Sequence, residues 1–384
     1  MTQNRERLYV GLMSGTSVDA IDAVLLSCAH EVRILAAREH PIPAETRQRI
    51  AEISQPGDNE IERMGELDRE LGALFATATL QLLRQSGHDV DDVEAIGSHG
   101  QTIRHHPRDA NAGTHGFTLQ VGDPNTIAEL TGITTVADFR RRDIAAGGEG
   151  APLAPAFHAA VFGQEDTNTA IVNIGGIANV TLLRGRELEA GFDCGPGNTL
   201  LDHWVQEHQG TSMDRDGLWA RAGTVIPELL ARALETPYFA RTGPRSTGKE
   251  LFNPAWLQRL LTASDIARPQ DVQATLAELT ANTIANSICN SGADVNAVYV
   301  CGGGAHNTDL MQRLRRALPG IAVRTTAAKG MDPDHVEAAA FAWFADQTLS
   351  KMAGNAPRVT GAEGFRVLGG IYWGSTTGAT EHQK

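Results

Sequence analysis

Three glycine-rich turns follow short apolar, β-rich stretches of this chain. They are Gly11-Leu-Met-Ser-Gly-Thr-Ser, Asn173-Ile-Gly-Gly-Ile and Cys301-Gly-Gly-Gly-Ala. The first two run straight into a second apolar stretch, which is typical of β-hairpins, whereas a Rossmann or P-loop site needs a helix after the glycine turn. Because glycine has no Cβ, the amide groups of such turns can approach phosphate oxygens closely. Two hairpins of this kind predict a duplicated nucleotide-binding core.

The order of the remaining elements predicts an α/β fold. An apolar stripe indicates a helix over residues 66–85, and the same periodicity predicts a final long helix over residues 336–349. Short apolar runs at residues 93–96 and 298–301 are typical of buried strands. Each part of the chain thus begins with strands and continues with alternating helices and strands, which predicts mixed sheets flanked by helices and partly antiparallel at their start.

A chain of 384 residues is long enough for two lobes that each bury a core. We expect an N-terminal lobe over residues 1–138, which carries the first hairpin. The C-terminal lobe, residues 139–384, then carries the second hairpin and the third glycine turn, with a last segment that could pack back on the N-terminal lobe. We predict a polar, glycine-rich loop at residues 138–150, which is the candidate crossing between the lobes.

Composition limits the classes of partner. The formal net charge of −13 argues against a protein that wraps nucleic acid or binds anionic membranes, so local donors must hold any anionic ligand. The four cysteines are widely spaced, with no Cys/His cluster of the kind that binds zinc. The N-terminal residues lack the apolar core of a signal peptide, and no apolar run reaches membrane-spanning length. We therefore expect a cytoplasmic protein with reduced thiols.

The first hairpin turn combines backbone donors, hydroxyl groups and carboxylates. The hydroxyls and amides can bind phosphate oxygens, and the Asp19 carboxylate can hold Mg²⁺ directly or through water. An ordinary turn is the alternative, since glycine, serine, threonine and aspartate are common turn residues. Recurrence of the pattern at Gly175 and Gly176 favours phosphate binding. The predicted nucleotide contacts of the first turn are Gly15, Thr16, Ser17, Val18, Asp19, Ala20, Ile21 and Asp22.

The third glycine turn precedes a predicted helix. Gly303, Gly304 and Asn307 are candidates to contact the base or ribose of a nucleotide, because a turn without Cβ atoms can pass beneath either. Taken alone, the pattern favours a tight connection between a strand and a helix.

Two polar features are candidates for catalysis and substrate recognition. We expect Asp193 in a glycine- and proline-rich loop before a predicted helix. A buried carboxylate there suits general-base work, and a turn-forming or capping aspartate is equally compatible with the pattern. The run Arg140, Arg141 and Arg142 could bind a carboxylate or phosphate by bidentate contacts. A solvated surface run is the alternative for at least one of the three.

Residues 243–250 match a Walker motif only in part. The sequence Gly243-Pro-Arg-Ser-Thr-Gly-Lys-Glu has the required glycines and Lys249, but Glu250 occupies the position that needs serine or threonine. The preceding residues are not a convincing buried strand either. We therefore reject a P-loop at this position.

Longer motifs resemble the anhydro-N-acetylmuramic acid kinase family of the actin/Hsp70/sugar-kinase superfamily. The resemblance extends from about Tyr9 to about Gly370, nearly the whole chain. Ala20 departs from the glycine that is usual in the family at this point, and its methyl group tightens the first turn. The motifs are Gly11-Leu-Met-Ser-Gly-Thr-Ser-Val-Asp, Ser98-His-Gly-Gln-Thr, Ala137-Asp-Phe-Arg-Arg-Arg-Asp, Asn173-Ile-Gly-Gly-Ile-Ala-Asn-Val and Gly191-Phe-Asp-Cys-Gly-Pro-Gly-Asn.

This resemblance implies a two-lobed, actin-like ATPase/sugar-kinase fold and an enzyme that uses ATP and Mg²⁺. The family opens the 1,6-anhydro bond of an amino sugar and phosphorylates O6, giving N-acetylmuramic acid 6-phosphate in cell-wall recycling. By motif match, Asp193 takes the place of the general base, while Thr102, Arg140, Asp143 and Glu337 match positions near the sugar. We also expect a homodimer, although the sequence does not itself determine the oligomeric state.

Two other classes of function stay open on the sequence. A nucleotide-gated binding protein of the actin or Hsp70 type would hydrolyse ATP without a sugar substrate, but the polar stretches at residues 98–104 and 138–150 favour a small-molecule kinase. A glycosidase that ignores ATP would leave the three glycine turns unexplained.

Overall fold

The computed structural model describes residues 6–15, 17–29, 31–106, 115–241, 245, 247–248, 250–261 and 268–375. It contains two compact units, one comprising Met1–Phe157 with His335–Lys384 and the other His158–Asp334. The chain therefore passes between the units twice. Among the helices of the described residues, none combines the length and hydropathy that a bilayer crossing would require.

The first unit is built on strands from both its N-terminal and C-terminal parts. Its strands are β1 (Leu8–Ser14), β2 (Ala20–Cys28), β3 (Val32–Pro41), β4 (Val93–His106), β5 (Phe117–Val121), β6 (Thr135–Ala137) and β12 (Gly370–Tyr372). Its helices are α1 (Ala44–Ile53), α2 (Glu60–Ser86), α3 (Pro124–Thr131), α4 (Phe139–Ala145), α12 (Val336–Leu349) and α13 (Pro357–Thr360), and α5 (Ala154–Phe162) leads into the second unit.

The sheet of the first unit has seven strands, six of them in the order β12-β6-β4-β1-β2-β3, and β5 pairs with β4. Strands β1 to β3 are antiparallel, while β4 lies parallel to β1 and to β6. Every residue of β1 is buried, as expected for a central strand that is covered on both faces. One face packs against α2, whose stripe of Leu67, Leu71 and Phe75 is buried in the same core.

Helix α12 lies directly on the backbone of two central strands. A Cβ at Gly11 of β1 would lie 1.9 Å from the carbonyl oxygen of Ala338, and one at Gly97 of β4 would lie 1.9 Å from that of Phe341. Only glycine allows this approach. The helix is apolar nearly all round, since it is buried on most of its faces.

The second unit has strands β7 (Asn168–Ile174), β8 (Ile177–Arg184), β9 (Glu187–Pro196), β10 (Ala297–Cys301) and β11 (Ala322–Thr325). Its helices are α6 (Thr199–Gln209), α7 (Leu218–Arg221), α8 (Pro227–Leu234), α9 (Pro254–Leu261), α10 (Pro269–Cys289) and α11 (Thr308–Ala317). A short 3₁₀ helix at Gly303–His306 follows β10.

The second sheet repeats the topology of the first. Its order is β11-β10-β7-β8-β9, with β7, β8 and β9 antiparallel and β7, β10 and β11 parallel. The path β6-β4-β1-β2-β3 of the first sheet has the same order and the same directions. The predicted α/β class and the duplicated core are thus confirmed.

Three local expectations were wrong. The strand predicted to end at Ile96 continues to His106, because bulges let β4 bend and pair with β5. The stretch predicted as a loop at residues 138–150 contains helix α4. Asp193 lies in strand β9 rather than in a loop.

The segment after α4 belongs to the first unit. The amide of Glu149 donates to the carbonyl of Thr360 at 2.8 Å, and the amide of Glu363 donates to the carbonyl of Ala146 at 2.8 Å. These bonds tie the segment to the C-terminal part of the chain, so the boundary predicted at 138/139 falls inside the unit. The observed passage to the second unit follows Phe157.

The contact between α12 and β1 generates a stability prediction. Gly11→Ala should destabilise the protein by about 1–3 kcal/mol or more, because its Cβ cannot be accommodated without separating β1 from α12. Gly65→Ala is the matched control: Gly65 is an exposed residue inside α2, and a Cβ added there would meet no atom within 4 Å. That change should stabilise by about 0.5–1 kcal/mol. Urea unfolding midpoints measure both, and equal midpoints for the two variants would contradict the packing.

Candidate active site

The first hairpin turn joins β1 to β2. Gly15 is half-buried, Ser17 is exposed, and Thr16 lies outside the described residues. Val18 has a φ of 60°, which is rare for a β-branched residue and carries strain of about 1–3 kcal/mol. Strain of this kind is concentrated at binding sites, so the turn has the backbone geometry expected of a ligand loop.

The end of this turn offers one exposed carboxylate. The Asp19 side chain is 70% exposed and lies 3.5 Å from the Nη1 atom of Arg47. Ala20, Ile21 and Asp22 already belong to β2, and the Ile21 side chain is fully buried in the core. A nucleotide could therefore contact Ile21 only through its backbone.

The second hairpin turn is held by the start of α6. The Gly175 carbonyl accepts from the amide of Asn198 at 2.8 Å, and the Gly176 carbonyl accepts from the amides of Gly197 and Thr199 at 2.9 and 3.1 Å. In a trans peptide the C=O and the following N–H point in opposite directions. The Gly176 amide therefore points away from α6, as a donor for a phosphate oxygen must.

The third turn packs beside this hairpin. A Cβ at Gly304 would lie 2.3 Å from Cγ2 of Ile174, the last residue before the hairpin turn. Gly303 and Asn307 line a cavity of about 470 Å³ together with Asp202 of α6 and the segment 213–216. The Asn307 side chain also accepts from the Leu310 amide at 2.9 Å and so caps α11. The second unit thus places two predicted nucleotide elements side by side.

Asp193 lies on β9 and pairs with Asn179 of β8. Asn179 is three positions after Gly176, the last residue of the second hairpin turn. Asp193 is half-buried and does not cap the helix that follows, because the N-cap of α6 is Asn198. The amide of Thr247 donates to its Oδ2 atom at 2.9 Å. The capping alternative is therefore wrong, and the carboxylate is held at the strand end that also carries the glycine turn.

Arg140 of α4 is the partly buried member of the arginine run. Its Nε and Nη2 atoms lie 3.1 and 2.9 Å from Nε2 of His99, and its Nη1 donates to the Gly150 carbonyl at 2.8 Å. Burial lowers the pKa of Arg140 to about 10, partly offset by Glu337 and Asp143, so the guanidinium is charged at neutral pH. Burial and the Arg140 charge lower the pKa of His99, which is therefore neutral.

The tautomer of His99 follows from these contacts. Its Nε2 accepts from the guanidinium, so its proton is on Nδ1, which donates to the Gly100 carbonyl at 2.8 Å. Arg141 is more exposed and pairs with Asp138 at 3.4 Å, and Arg142 is exposed. Arg141 and Arg142 therefore fit the alternative of solvated surface arginines, whereas Arg140 does not.

The other three predicted sugar residues differ in their surroundings. Asp143 is fully buried and accepts from the Gly150 amide, from Asn355 and from Thr360, each at 2.9 Å. Glu337 is exposed in the first turn of α12, and its negative charge raises the pKa of Arg140 against the larger effect of burial. Thr102 lies on β4 and accepts from Gln120 Nε2 at 3.0 Å.

Asp19 fits a role in holding Mg²⁺ only together with other ligands. Over the described ranges, no group of three or more histidine, cysteine, aspartate or glutamate side chains is arranged to hold a metal ion. Mg²⁺ at nucleotide sites is commonly bound by one or two carboxylates plus phosphate oxygens and water. A single exposed carboxylate at a glycine turn is compatible with that donor set.

Sequence reasoning missed several residues of these surroundings. His99 stands inside the motif Ser98-His-Gly-Gln-Thr, of which the sequence predicts only Thr102 as a sugar contact. Asp202 has no signal beyond its place on a helix. Arg245 and Thr247 belong to the rejected Walker match, yet both contact Asp193.

The family model described as anhydro-N-acetylmuramic acid kinase matches residues 7–374. Relatives that bear this name include one from Variovorax paradoxus (strain S110), 49% identical over 371 residues, which spans 95% of this chain and 98% of the relative. One from Coxiella burnetii (strain Dugway 5J108-111) is 50% identical over 368 residues, 95% of this chain and 97% of the relative. One from Pseudomonas putida (strain KT2440) is 48% identical over 365 residues, 95% and 99% of the two chains.

Likeness to solved structures is weaker. Component A of (R)-2-hydroxyglutaryl-CoA dehydratase from Acidaminococcus fermentans is 14% identical, with a TM-score of 0.47 over 88% of this chain and 97% of that one. We infer nothing from a likeness at that level. The match over residues 7–374 and the near-complete coverage of relatives about half identical show that the chain belongs to the anhydro-N-acetylmuramic acid kinase family.

Proposed function

We propose that the protein is an ATP-dependent kinase that hydrolytically opens 1,6-anhydro-N-acetylmuramic acid and phosphorylates its O6. The products are N-acetylmuramic acid 6-phosphate and ADP, and the reaction serves the recycling of peptidoglycan. The observation that carries the proposal is the family match over residues 7–374, which includes both glycine hairpins and the segment around Asp193. The same match, together with relatives of nearly equal length that bear the kinase name, favours a sugar kinase over an actin- or Hsp70-like protein without a sugar substrate.

We assign binding of the nucleotide phosphates to the backbone donors of the two hairpins. The orientation of the Gly176 amide, set by the bonds between the turn and α6, supports this assignment. The cavity beside Gly303 and Asn307 has room for the nucleoside. Mg²⁺, held through Asp19 directly or by way of water, would offset the negative charge on the phosphoryl group.

We assign activation of the attacking water to Asp193. The carboxylate takes a proton from the water as the water oxygen attacks C1 of the sugar. The C1–O6 bond breaks and its electron pair passes to O6. O6 then attacks the γ-phosphorus in line, and the bond to the β-phosphate oxygen breaks to release ADP.

We assign recognition of the sugar to the group around Arg140. Its hydrogen bonds to His99 and Gly150 use three of the five N–H donors of a guanidinium, and the residue is half-buried rather than sealed. A lactyl carboxylate is a suitable partner for the remaining charge. Glu337 and Thr102 are proposed sugar contacts, whereas the buried Asp143 would act by holding the Arg140 segment.

The remaining expectations are part of the same proposal. A reaction that consumes ATP belongs in the cytoplasm, where ATP is made. The homodimer expected from the sequence can be measured by light scattering coupled to size-exclusion chromatography.

Asp193→Asn tests the chemistry. The change removes the base but keeps the shape of the side chain, so kcat should fall roughly 10²–10⁴-fold while ATP binding persists. ADP and the 6-phosphosugar are measured together by mass spectrometry, and both should fall in step. Asp166→Asn, at an exposed aspartate of the same unit, is the control and should leave kcat unchanged.

An isotope experiment tests which atom the water attacks. Wild-type enzyme in ¹⁸O-water should place the label at C1. Label in the phosphate would mean that water attacks phosphorus.

Gly175→Val tests the second hairpin. The nearest atom to a Cβ at Gly175 is the carbonyl oxygen of Ile177 at 3.7 Å, so the variant should fold. Its side chain would occupy space that the phosphates need, and ATP affinity should drop by about tenfold or more, as expected for the loss of one hydrogen bond to a charged group. Isothermal titration calorimetry measures this, with binding of the sugar as the internal control. Unchanged ATP affinity in a folded variant would remove the hairpin from the nucleotide site.

Arg140→Ala tests recognition of the lactyl carboxylate. Loss of a charge-assisted hydrogen bond should raise KM for the anhydromuramyl sugar roughly 10- to 100-fold, and less for an analogue without the lactyl group. Arg141→Ala is the matched control, since Arg141 is 56% exposed and pairs only with Asp138 among the described residues. If Arg140→Ala raises KM equally for both sugars, Arg140 does not bind the lactyl carboxylate and serves only to order the segment around α4.

A further inference from the structure

Two residues of the partial Walker match, Arg245 and Thr247, contact the proposed general base. We propose that Arg245 is a positioning residue: it anchors the segment whose Thr247 amide orients the carboxylate of Asp193. The inference rests on the proposed function, in which Asp193 accepts the proton of the attacking water. It gives a role to a motif that is not a P-loop.

Within the described part of the chain, β9 is the last strand of its sheet, and no further strand pairs with its outer side. At Asp193 the hydrogen bonds that a neighbouring strand would make are made by Arg245. The Asp193 amide donates to the Arg245 carbonyl at 3.0 Å, and the Asp193 carbonyl accepts from Arg245 Nε at 3.1 Å. One residue thus supplies both the acceptor and the donor that a paired strand would have supplied.

The guanidinium is fixed from several directions. Its Nη2 donates to Ser287 Oγ on α10 at 2.8 Å, and its Nη1 donates to the Arg241 carbonyl. Its Cζ lies 5.0 Å from the ring centroid of Phe192 and 5.4 Å from that of Tyr238, within cation–π range. Arg245 therefore joins β9 to α10 at the position of Asp193.

Tyr238 supports the same backbone group. Its hydroxyl donates to the Asp193 carbonyl at 2.8 Å. Burial raises the pKa of Tyr238, with a further contribution from the Asp193 charge, so the phenol stays protonated and keeps donating over the pH range in which enzymes work.

Thr247 connects this anchor to the carboxylate. It lies two residues after Arg245, and its amide donates to Asp193 Oδ2 at 2.9 Å. Because both the carbonyl and the Nε group of Arg245 are bonded to the Asp193 backbone, the Thr247 amide has a defined position relative to the carboxylate. A backbone donor of this kind fixes the rotation of the carboxylate and favours its charged, proton-accepting form.

Arg245→Met tests the proposal. The change removes the charge and the donors but keeps an unbranched apolar stem. The Asp193 amide can still donate to the carbonyl of residue 245, but the bond from Nε to the Asp193 carbonyl is lost. With its anchor weakened, the Thr247 amide should stabilise the charged carboxylate less, so the acidic limb of the pH–kcat profile should move up by about one pH unit. At the pH optimum kcat should fall about tenfold, while KM for ATP stays unchanged. A residue that served only the fold would lower the melting temperature and leave the limb in place.

Two further variants sharpen the test. Arg245→Lys keeps the charge and a donor, so its acidic limb should lie between those of wild type and Arg245→Met. It also carries the test by itself if Arg245→Met does not fold. Arg241→Met is the matched control: its guanidinium lies 5.9 Å from the Tyr238 ring centroid, and no hydrogen bond from its side chain to Asp193 is present among the described residues. Its profile should coincide with that of wild type.

Asp193→Asn, measured in parallel, separates failure of this inference from failure of the proposed function. If Asp193→Asn is inactive and the limbs of all Arg245 variants coincide with wild type, the positioning role is wrong and the base assignment stands. A shift of equal size in Arg241→Met would also overturn the positioning role, because removal of any nearby positive charge would then explain the shift. Normal turnover by Asp193→Asn would remove the base assignment itself.

Discussion

Backbone-to-backbone contact at glycine is the constraint on which the rest of this structure depends. In the first unit, Gly11 and Gly97 let α12 lie on β1 and β4 at distances that no Cβ allows. In the second unit, a Cβ at Gly197 would lie 2.3 Å from the Gly175 carbonyl oxygen, so the start of α6 can bond to the hairpin turn. The same device therefore places a helix against the sheet in one unit and orients the turn in the other.

The open edge of β9 explains why the surroundings of Asp193 are built from a distant segment. An edge strand leaves amides and carbonyls without partners, and buried backbone groups of this kind must find them elsewhere. Arg245 and Tyr238 satisfy those of Asp193. The segment that satisfies the backbone of this edge strand also donates to the Asp193 carboxylate through Thr247. The same contacts thus serve the fold and the proposed chemistry.

The pair of Arg140 and His99 shows how a partly buried cation is tolerated. The guanidinium is stabilised by the nearby carboxylates Glu337 and Asp143, and its neighbour His99 is kept neutral so that it can accept a hydrogen bond. A protonated histidine would repel the arginine. The arrangement keeps a positive charge in an acidic protein, and the proposed function assigns that charge to an anionic group of the substrate.

The sequence by itself determined the α/β class, the two hairpins, the long helices and the family, because periodicity and glycine turns are local signals and the family motifs are long. It also predicted helix 336–349 with its observed bounds. Tertiary structure alone decided that β4 extends to His106, that Asp193 lies on a strand, and that residues 138–150 pack with the C-terminal segment, since each depends on partners far away in the chain. The contacts of Asp193 with Arg245 and Thr247 bridge more than 50 residues. No local pattern encodes such a pairing, because the need for it arises only once β9 becomes the last strand of its sheet among the described residues.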